Sequence, residues 1–448
     1  MGPARTHKLL RHPAQYVVLA FVAASVLGAV LLSLPGATRS GEGAPAITAL
    51  FTATSAVCVT GLAVVSTGDY WSGFGQWVIL ALIQVGGFGI MTLTSLIVLV
   101  LAKRLGLRHR LLAAAETGSL NLGDVRTLLI GVARLSLGVE AAVALVLTAR
   151  FAFSHGEPFS RALHLGIFHA VSAFNNAGFS LFNDSLIGVN RDPVILLVVA
   201  ATIIAGGLGF PVWVQIARMP RTPHRWNLHT KLTVVTTLGL IGVGWALFAW
   251  FEWTNTRTLG NMSATDTLVN AFFHSVTPRT AGFNSVDMAL LREPSRLLTE
   301  ALMFIGGGSA STAGGIKVTT FALLGWVMWA EVRGEPDVVI FERTVPSQAQ
   351  RQALTVALMA IGTIVVSTMA LMATTGLPRA DLLFEVVSAL GTVGLSTGVT
   401  PLLSGGSQLL VVVLMLLGRV GPPTLFAALV LRERGRQYRH PEERPIIG

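Results

Sequence analysis

The chain has 448 residues, of which 52% are hydrophobic and 12% are charged, and its formal net charge is +10. Length alone would suggest about three soluble domains, but a mean hydropathy of +0.67 excludes that organisation and indicates a protein of the lipid bilayer. The basic residues flank apolar segments, so we interpret the positive charge as the Lys and Arg bias of cytoplasmic loops and not as affinity for nucleic acid.

Eight apolar stretches predict an all-α polytopic membrane protein with eight crossings, because a crossing needs about 20 apolar residues. The stretches are 16–34, 76–102, 128–148, 193–216, 232–251, 297–329 (interrupted), 353–374 and 409–431. Most Lys and Arg residues fall in the segments between alternate stretches and at the two ends, namely 1–14, 103–126, 218–231, 332–351 and 432–448. Both termini are therefore expected in the cytoplasm.

An 11-residue run that starts with Phe and ends with Gly occurs four times, at 51–61, 168–178, 272–282 and 384–394. These runs are too short to span a bilayer and are typical of re-entrant half-helices. A second glycine landmark follows each run, at 86–89, 206–209, 306–308 and 418–421. The pattern predicts four pseudo-symmetric helix–pore-loop–helix units around one central pore, with the boundaries 1–110, 111–225, 226–345 and 346–448. Since each unit crosses twice, the units are parallel repeats about an axis along the membrane normal.

The residues that end each run are the predicted K+ ligands, through their backbone carbonyl groups. They are Val59, Thr60 and Gly61, then Asn176, Ala177 and Gly178, then Thr280, Ala281 and Gly282, and finally Thr392, Val393 and Gly394. Their side chains differ, but each set ends in a glycine that can adopt positive φ. Rings of carbonyl oxygens select alkali cations, and four half-helix C-termini would add partial negative charge. The alternative is that each glycine only turns the chain after a half-helix. With one glycine per loop, we expect weaker discrimination against Na+ than in a two-glycine filter.

The third run departs from the others. A Ser lies six residues before the final glycine in the other runs (Ser55, Ser172 and Ser388), whereas Val276 holds that place here and Thr277 follows it. Pro278 comes next, which predicts a different end for this half-helix.

The third inner helix is expected to be broken, because residues 306–315 contain five glycines, two serines and a threonine, and each Gly costs a helix about 1 kcal/mol relative to Ala. We interpret the segment as a flexible gate below the pore loops, with close packing of glycines as the alternative. A phosphate-binding loop is disfavoured, since no Gly-Lys-Ser/Thr follows. The predicted gate residues are Gly306, Gly307, Gly308, Ser309, Ala310, Ser311, Thr312, Ala313, Gly314 and Gly315, together with Lys317 and Arg419.

Four basic residues, Arg134, Arg279, Lys317 and Arg419, are expected at membrane depth, where charge is costly and faces a partner or water. Arg419 is expected to pair with an acidic residue or to repel cations in the pathway. Lys317 either belongs to the gate or extends toward the cytoplasm, and Arg279 is expected to brace the third loop by bonding to carbonyls or a carboxylate. The candidate carboxylates are Glu140, Glu300 and Glu385. His164, His169 and His274 are expected to make structural hydrogen bonds, because their spacing suits no metal ligand set.

The segments 60–62, 174–179, 277–284, 307–317 and 418–422 strongly resemble the Trk/Ktr/HKT superfamily of cation translocating subunits, and the Ktr-type bacterial subunit in particular. The resemblance implies a K+ uptake subunit, often Na+-dependent, in the bacterial plasma membrane. It also implies a homodimer with one pore per protomer, seated on a cytoplasmic ring of regulators that bind adenine nucleotides. Gly61 stands where plant relatives that transport Na+ have Ser, which favours K+.

A nonselective or Na+-preferring channel of the same build is the alternative function. A membrane enzyme is disfavoured because no cluster of acid–base or metal-binding residues appears in the sequence.

Overall fold

The computed structural model describes residues 13–104 and 122–421, and the side chains of 16–89 and 130–421. Within these ranges the chain is mostly helical, as the composition predicts, with fifteen α-helices. A short antiparallel hairpin, whose strands β1 (Val339–Ile340) and β2 (Arg343–Thr344) have two residues each, lies in a segment predicted to be cytoplasmic. The first 12 residues, the centre of the segment 103–126 and the C-terminal tail lie outside the described residues.

The helices form four consecutive groups. Each group begins with a long helix, which is followed by a shorter helix and then by one or two more. The first group is α1 (Pro13–Leu32), α2 (Ala46–Val57), α3 (Thr67–Tyr70) and α4 (Gly73–Arg104). The second is α5 (Leu122–Ser154), α6 (Phe159–Phe174), α7 (Pro193–Leu208) and α8 (Phe210–Arg218). The third is α9 (Leu228–Glu252), α10 (Ala264–Val276), α11 (Glu293–Phe304) and α12 (Val318–Arg333). The last is α13 (Ser347–Thr374), α14 (Arg379–Gly391) and α15 (Gly405–Val420).

Three described helices are long and apolar enough to cross a membrane: Ile130–Ser154 within α5, α9 and α13. The pair α7 and α8 would make a fourth span, but it bends by 96° at Gly209. The stretch 193–216, predicted as a crossing, therefore forms two helices and not one, because Gly209 has a φ of 91° and Pro211 lies two residues later. Eight crossings stay a prediction, since α1, α4 and α15 count only as shorter apolar helices over their described side chains.

The long helices expose apolar side chains, whereas the short helices α2, α6, α10 and α14 are buried in their C-terminal parts. Leu145 on α5, Leu238 on α9 and Val366 on α13 are each more than 60% exposed, as expected for side chains that face lipid. By contrast, α14 is buried from Leu382 to Gly391, except for its partly exposed Leu383. We call α2, α6, α10 and α14 the half-helices.

The helices α4, α7 and α15, which we call the inner helices, contact the C-terminal ends of the half-helices at glycine residues. A Cβ atom added at Gly86, Gly206 or Gly418 would collide with the carbonyl oxygen of Val57, Phe174 or Leu390, respectively. Each of these carbonyls lies at the C-terminal end of a half-helix. Close packing therefore explains these three glycine landmarks.

Candidate ion-binding site

Four short loops follow the half-helices and share one backbone pattern. A residue other than glycine has positive φ in each loop: Val59 (54°), Asn176 (59°), Thr280 (75°) and Thr392 (50°). Two residues later comes a glycine that also has positive φ: Gly61 (94°), Gly178 (68°), Gly282 (76°) and Gly394 (96°). In an extended strand, successive carbonyl groups point in opposite directions. Left-handed residues at alternate positions remove this alternation. They are costly for side chains other than glycine, so four matched instances indicate a shared geometric requirement.

The four glycines form a closed ring. A Cβ atom added at Gly61, Gly178, Gly282 or Gly394 would come within 3.0 Å of the carbonyl oxygen of Ala177, Ala281, Val393 or Thr60, respectively. Each loop thus touches the next, and the fourth touches the first. The carbonyl oxygen before each glycine lies beside the glycine of the preceding loop in the ring. The second and fourth loops, around Gly178 and Gly394, are therefore diagonal to each other.

Hydroxyl groups on the half-helices anchor the loops in two ways. In the first and fourth loops, Gly61 N–H donates to Ser55 Oγ at 3.0 Å, and Gly394 N–H donates to Ser388 Oγ at 3.1 Å. In the second and third loops, the hydroxyl donates instead to the carbonyl that follows the glycine. Ser172 Oγ lies 2.8 Å from Phe179 O, and Thr277 Oγ1 lies 2.6 Å from Phe283 O.

Thr277 explains the departure of the third run. Phe273 and Thr277 have the spacing that Phe51 and Ser55 have in the first run, so the half-helix pattern is displaced by one residue. Phe273 is fully buried, as are the Phe residues that open the other runs. The sequence shows that the hydroxyl is displaced by one residue. Only the contact with Phe283 O shows that Thr277, like Ser172, donates to the carbonyl that follows the glycine.

The segment 305–317, which we call the inner loop, joins α11 to α12 and docks on the break between α7 and α8. Gly308 N–H donates to Gly207 O at 2.8 Å, and Thr312 N–H donates to Gly206 O at 3.3 Å. In return, Phe210 N–H donates to Ala310 O at 3.3 Å. Most of residues 306–315 are buried, so the glycines pack closely and the loop also fills the interior.

The inner loop also contacts the end of α6 and the fourth of the short loops directly. Thr312 Oγ1 donates to Phe174 O, at the end of α6, at 3.3 Å. A Cβ atom added at Gly314 would collide with Thr392 Oγ1 in the fourth loop. The loop therefore lies against the ends of two half-helices.

Two basic side chains bond to the inner loop. Arg419 donates one hydrogen bond to Thr312 O and another, of 3.1 Å, to Gly86 O on α4. Lys317 Nζ lies 2.5 Å from Ala313 O and 3.3 Å from Gly314 O. Among the described residues Arg419 forms no ion pair, so its pairing with an acidic residue is not found there. Lys317 is therefore turned to the inner loop.

Arg279 and the three candidate carboxylates find other partners. Arg279 reaches Thr237 O and Thr237 Oγ1 on α9, at 3.5 and 3.3 Å, and so braces the third loop from the side. Glu140 accepts from Gln84 Nε2 at 3.1 Å and from Asn175 Nδ2 at 3.2 Å. Glu300 lies 3.9 Å from Arg296. Glu385 accepts from Ser396 and Thr400.

The histidines have hydrogen-bond partners: His164 bonds Gln76, His169 bonds Leu165 O and Ser180, and His274 bonds Thr299. No group of three or more His, Cys, Asp or Glu residues that could hold a metal occurs in the described ranges. Sequence reasoning missed Glu252, which is fully buried at the end of α9. It accepts hydrogen bonds from Asn255, Thr258, Ser295 and the N–H of Arg292.

Comparison with known proteins identifies relatives of nearly equal length. The chain is 40% identical over 436 residues to the Ktr system potassium uptake protein B of Bacillus subtilis (strain 168), which covers 97% of each chain. It is 39% identical over 443 residues to the potassium/sodium uptake protein NtpJ of Enterococcus hirae, again over 97% of each. The crystal structure of the potassium transporter TrkH from Vibrio parahaemolyticus matches with a TM-score of 0.75 and 21% identity. The match covers 96% of this chain and 87% of that one, and it bears on the fold alone.

The family model described as the cation transport protein TrkH matches residues 4–436. The family match and the relatives, which are uptake proteins, show a membrane cation transporter and not an enzyme. The chain belongs to the TrkH family of cation transport proteins, as its sequence motifs indicate.

Proposed function

We propose that this protein takes up K+ across the plasma membrane of a bacterium through the ring formed by its four loops. The observation that carries the proposal is the closed contact of Gly61, Gly178, Gly282 and Gly394, each beside a neighbour's carbonyl oxygen. Peptide oxygens at such a ring replace the water shell of an alkali cation. The names of the relatives, which are potassium uptake proteins and a potassium/sodium uptake protein, favour K+ as the cargo.

In this proposal the chain is built of four pseudo-symmetric helix–pore-loop–helix units with eight crossings and both termini in the cytoplasm. The repeated order of long helix, half-helix and loop supports it. Each half-helix ends at the ring, where its C-terminus contributes roughly half a negative charge. The cation is therefore stabilised without a carboxylate among the twelve residues 59–61, 176–178, 280–282 and 392–394.

The ring is short, which bears on selectivity. The carbonyls of Phe179 and Phe283, which follow the glycine in two loops, accept hydrogen bonds from Ser172 and Thr277. These two oxygens are engaged by the protein and face away from a bound ion. Fewer full rings of oxygen provide fewer strong sites, so K+ is preferred over Na+ less strictly than in a filter with two glycines per loop. A nonselective channel of the same build is the second candidate function.

The inner loop acts as the gate in this proposal. It lies against the second and fourth loops, and Arg419 and Lys317 hold it there by bonds to its carbonyls. Flow requires that residues 306–315 move away from α7 and the half-helix ends. A separate cytoplasmic regulator that binds adenine nucleotides would supply the energy for that movement. The transporter acts as a homodimer in this proposal, and Na+ is either co-transported or activates uptake.

The test is rescue of a bacterium that lacks its own potassium uptake, grown at low K+. Gly178→Ala and Gly282→Ala add a Cβ where φ is positive and where neighbouring backbone leaves no room, so neither variant should support growth. Gly239→Ala is the matched control, because Gly239 lies on the exposed face of α9 with open space around its Cα. If both ring variants reach the membrane and rescue as well as Gly239→Ala, the proposed site is wrong. Growth that Na+ supports equally well would favour the nonselective channel.

A further inference from the structure

Two diagonal loops carry a support that the other two lack. In the second and fourth loops, a side chain from the half-helix bonds to the serine two residues beyond the ring glycine. We infer that His169 and Glu385 are positioning residues that set the K+ over Na+ selectivity of the ring. The inference rests on the proposed function of the four loops. Neither residue touches the ion in this arrangement, and each acts through its serine.

Glu385 supports the fourth loop. It is fully buried on α14, nine residues before Gly394. Its carboxylate accepts from Ser396 Oγ at 2.8 Å and from Thr400 Oγ1. Ser396 Oγ in turn accepts from Gly398 N–H at 3.1 Å. The chain beyond the ring is thus tied to the half-helix through the hydroxyls of Ser396 and Thr400.

His169 supports the second loop by the same connection. It is 1% exposed on α6, nine residues before Gly178. Its Nε2 lies 3.0 Å from Ser180 Oγ, and Ser180 Oγ accepts from Phe182 N–H at 3.1 Å. Nδ1 lies 2.8 Å from the carbonyl oxygen of Leu165, which can only accept, so Nδ1 carries the proton. Nε2 of the neutral ring therefore accepts, and the Ser180 hydroxyl donates to it at 3.0 Å, a shorter contact than the 3.3 Å from the same hydroxyl to Ser185 O.

The first and third loops have residues at the equivalent helix positions but lack this connection. Thr52 follows Phe51 on α2, and its buried hydroxyl has no partner among the described residues. His274 follows Phe273 on α10, but its Nε2 bonds to Thr299 Oγ1 on α11 at 2.9 Å, away from the loop. Ala63 and Asn284 stand where the other loops have Ser180 and Ser396. The support therefore has two-fold and not four-fold symmetry.

A diagonal pair of supports fixes the width of the ring across one axis. Discrimination between K+ and Na+ depends on how closely the oxygens can follow the smaller ion and on their number. Loops tied at both ends follow it less easily. Ser172 and Ser388 hold the second and fourth loops at Phe179 O and Gly394 N–H, and His169 and Glu385 hold them again at the serines beyond the ring. Loss of a tie should let the ring contract around Na+.

The experiment compares His169→Phe with His274→Phe, the same change on two half-helices. His169→Phe keeps a ring that can stack on Phe182, whose centroid lies 5.0 Å away, and loses only the bond to Ser180 and that to Leu165. His274→Phe likewise keeps the stack on Phe248 and loses only Thr299. The purified full-length protein is titrated with KCl and with NaCl, and the melting temperature gives the two dissociation constants. Fluxes of both ions into liposomes give the same ratio by a second route.

We expect His169→Phe and Glu385→Gln to lower the ratio of K+ to Na+ affinity by about tenfold, equivalent to about 1.4 kcal/mol. His274→Phe and Thr52→Val should change it by less than about twofold. Ser180→Ala and Ser396→Ala remove the other partner of each bond and should reproduce the loss if a half-helix variant does not fold. In the double variants His169→Phe with Ser180→Ala and Glu385→Gln with Ser396→Ala, the loss of selectivity should be no larger than in the single variants.

The inference is overturned if the ratio in His169→Phe and in Ser180→Ala stays within the range of His274→Phe. If K+ neither raises the melting temperature of the wild-type protein nor enters liposomes that contain it, the proposed function is contradicted instead. The two failures are therefore distinguishable in one experiment.

Discussion

The guanidinium of Arg419 connects two inner segments of the molecule, because it donates hydrogen bonds both to Thr312 O in the inner loop and to Gly86 O on α4. Its Nε has no partner among the described residues. The side chain is 4% exposed, so its charge is balanced by carbonyl dipoles. In the proposed gate, movement of the inner loop breaks the bond to Thr312, so Arg419 would favour the closed arrangement.

We predict that Arg419→Gln raises K+ flux in the absence of any regulator by about tenfold, because the loss of a charge-assisted bond costs the closed state about 1.5–3 kcal/mol. Flux into liposomes that hold only this protein measures it. Arg225→Gln, at an exposed arginine outside the α-helices, is the control. Unchanged flux with normal protein yield would mean that Arg419 supports packing and not closure.

Much of the arrangement follows from sequence pattern, because each half-helix combines an apolar run with a terminal glycine. The structure places half-helices in all four runs, although α6 starts at Phe159, nine residues before the run at 168–178. The break within 297–329 also follows from composition, since five glycines in ten residues do not hold a helix. The bend at Gly209 was missed, because Pro193 stands at the start of the apolar stretch 193–216 and Pro211 is the only proline inside it.

The order of contacts around the ring could not be predicted, because a tandem repeat does not state which units are neighbours. The partners of the buried polar groups were also hidden. Ser55 and Ser172 occupy the same place in their runs, yet one accepts from a glycine N–H and the other donates to a Phe carbonyl. A hydroxyl allows both roles, and only the loop geometry selects one.

We predict that Thr277→Val lowers the free energy of unfolding by about 1–3 kcal/mol, since Phe283 O would remain buried without its donor. The valine has the shape of threonine, so packing is retained. Chemical denaturation in detergent, followed by tryptophan fluorescence, measures the change. Thr54→Val is the control, because the buried Thr54 hydroxyl has no partner among the described residues. Equal stabilities for the two variants would contradict the anchoring role of Thr277.

We predict that Glu252→Gln destabilises the protein by at least about 2 kcal/mol, because a buried acceptor becomes a donor that faces other donors. Glu252 Oε1 accepts from Arg292 N–H at 3.0 Å and from Ser295, while Oε2 accepts from Asn255 and Thr258. These bonds join the end of α9 to the start of α11. The melting temperature measures the loss, with Glu331→Gln, at an exposed position on α12, as the control. A loss no larger than that of the control would show that the four bonds contribute little.

The last prediction concerns pH at the start of α7, outside the membrane-spanning segments. Burial favours the neutral form of Asp192, but hydrogen bonds from Arg150 Nε (2.8 Å), from His155 and from Ile195 N–H outweigh it and hold the pKa of Asp192 below its usual value. A depressed pKa in the folded state contributes stability that is present above the unfolded-state value, about 3.9. That contribution is lost as the pH falls through the folded-state pKa.

Asp192→Asn removes the charge but keeps an oxygen that can cap Val194 and Ile195, because Asn caps helices as well as Asp does. We expect it to cost about 1 kcal/mol at pH 7, a small value because Arg150 is 38% exposed and solvent screens the pair. The melting temperatures of the two proteins should converge as the pH falls below the usual carboxyl pKa. Asp184→Asn, at an exposed aspartate, should show no such convergence. A difference that persists at low pH would mean that Asp192 acts through the cap or through packing and not through its charge.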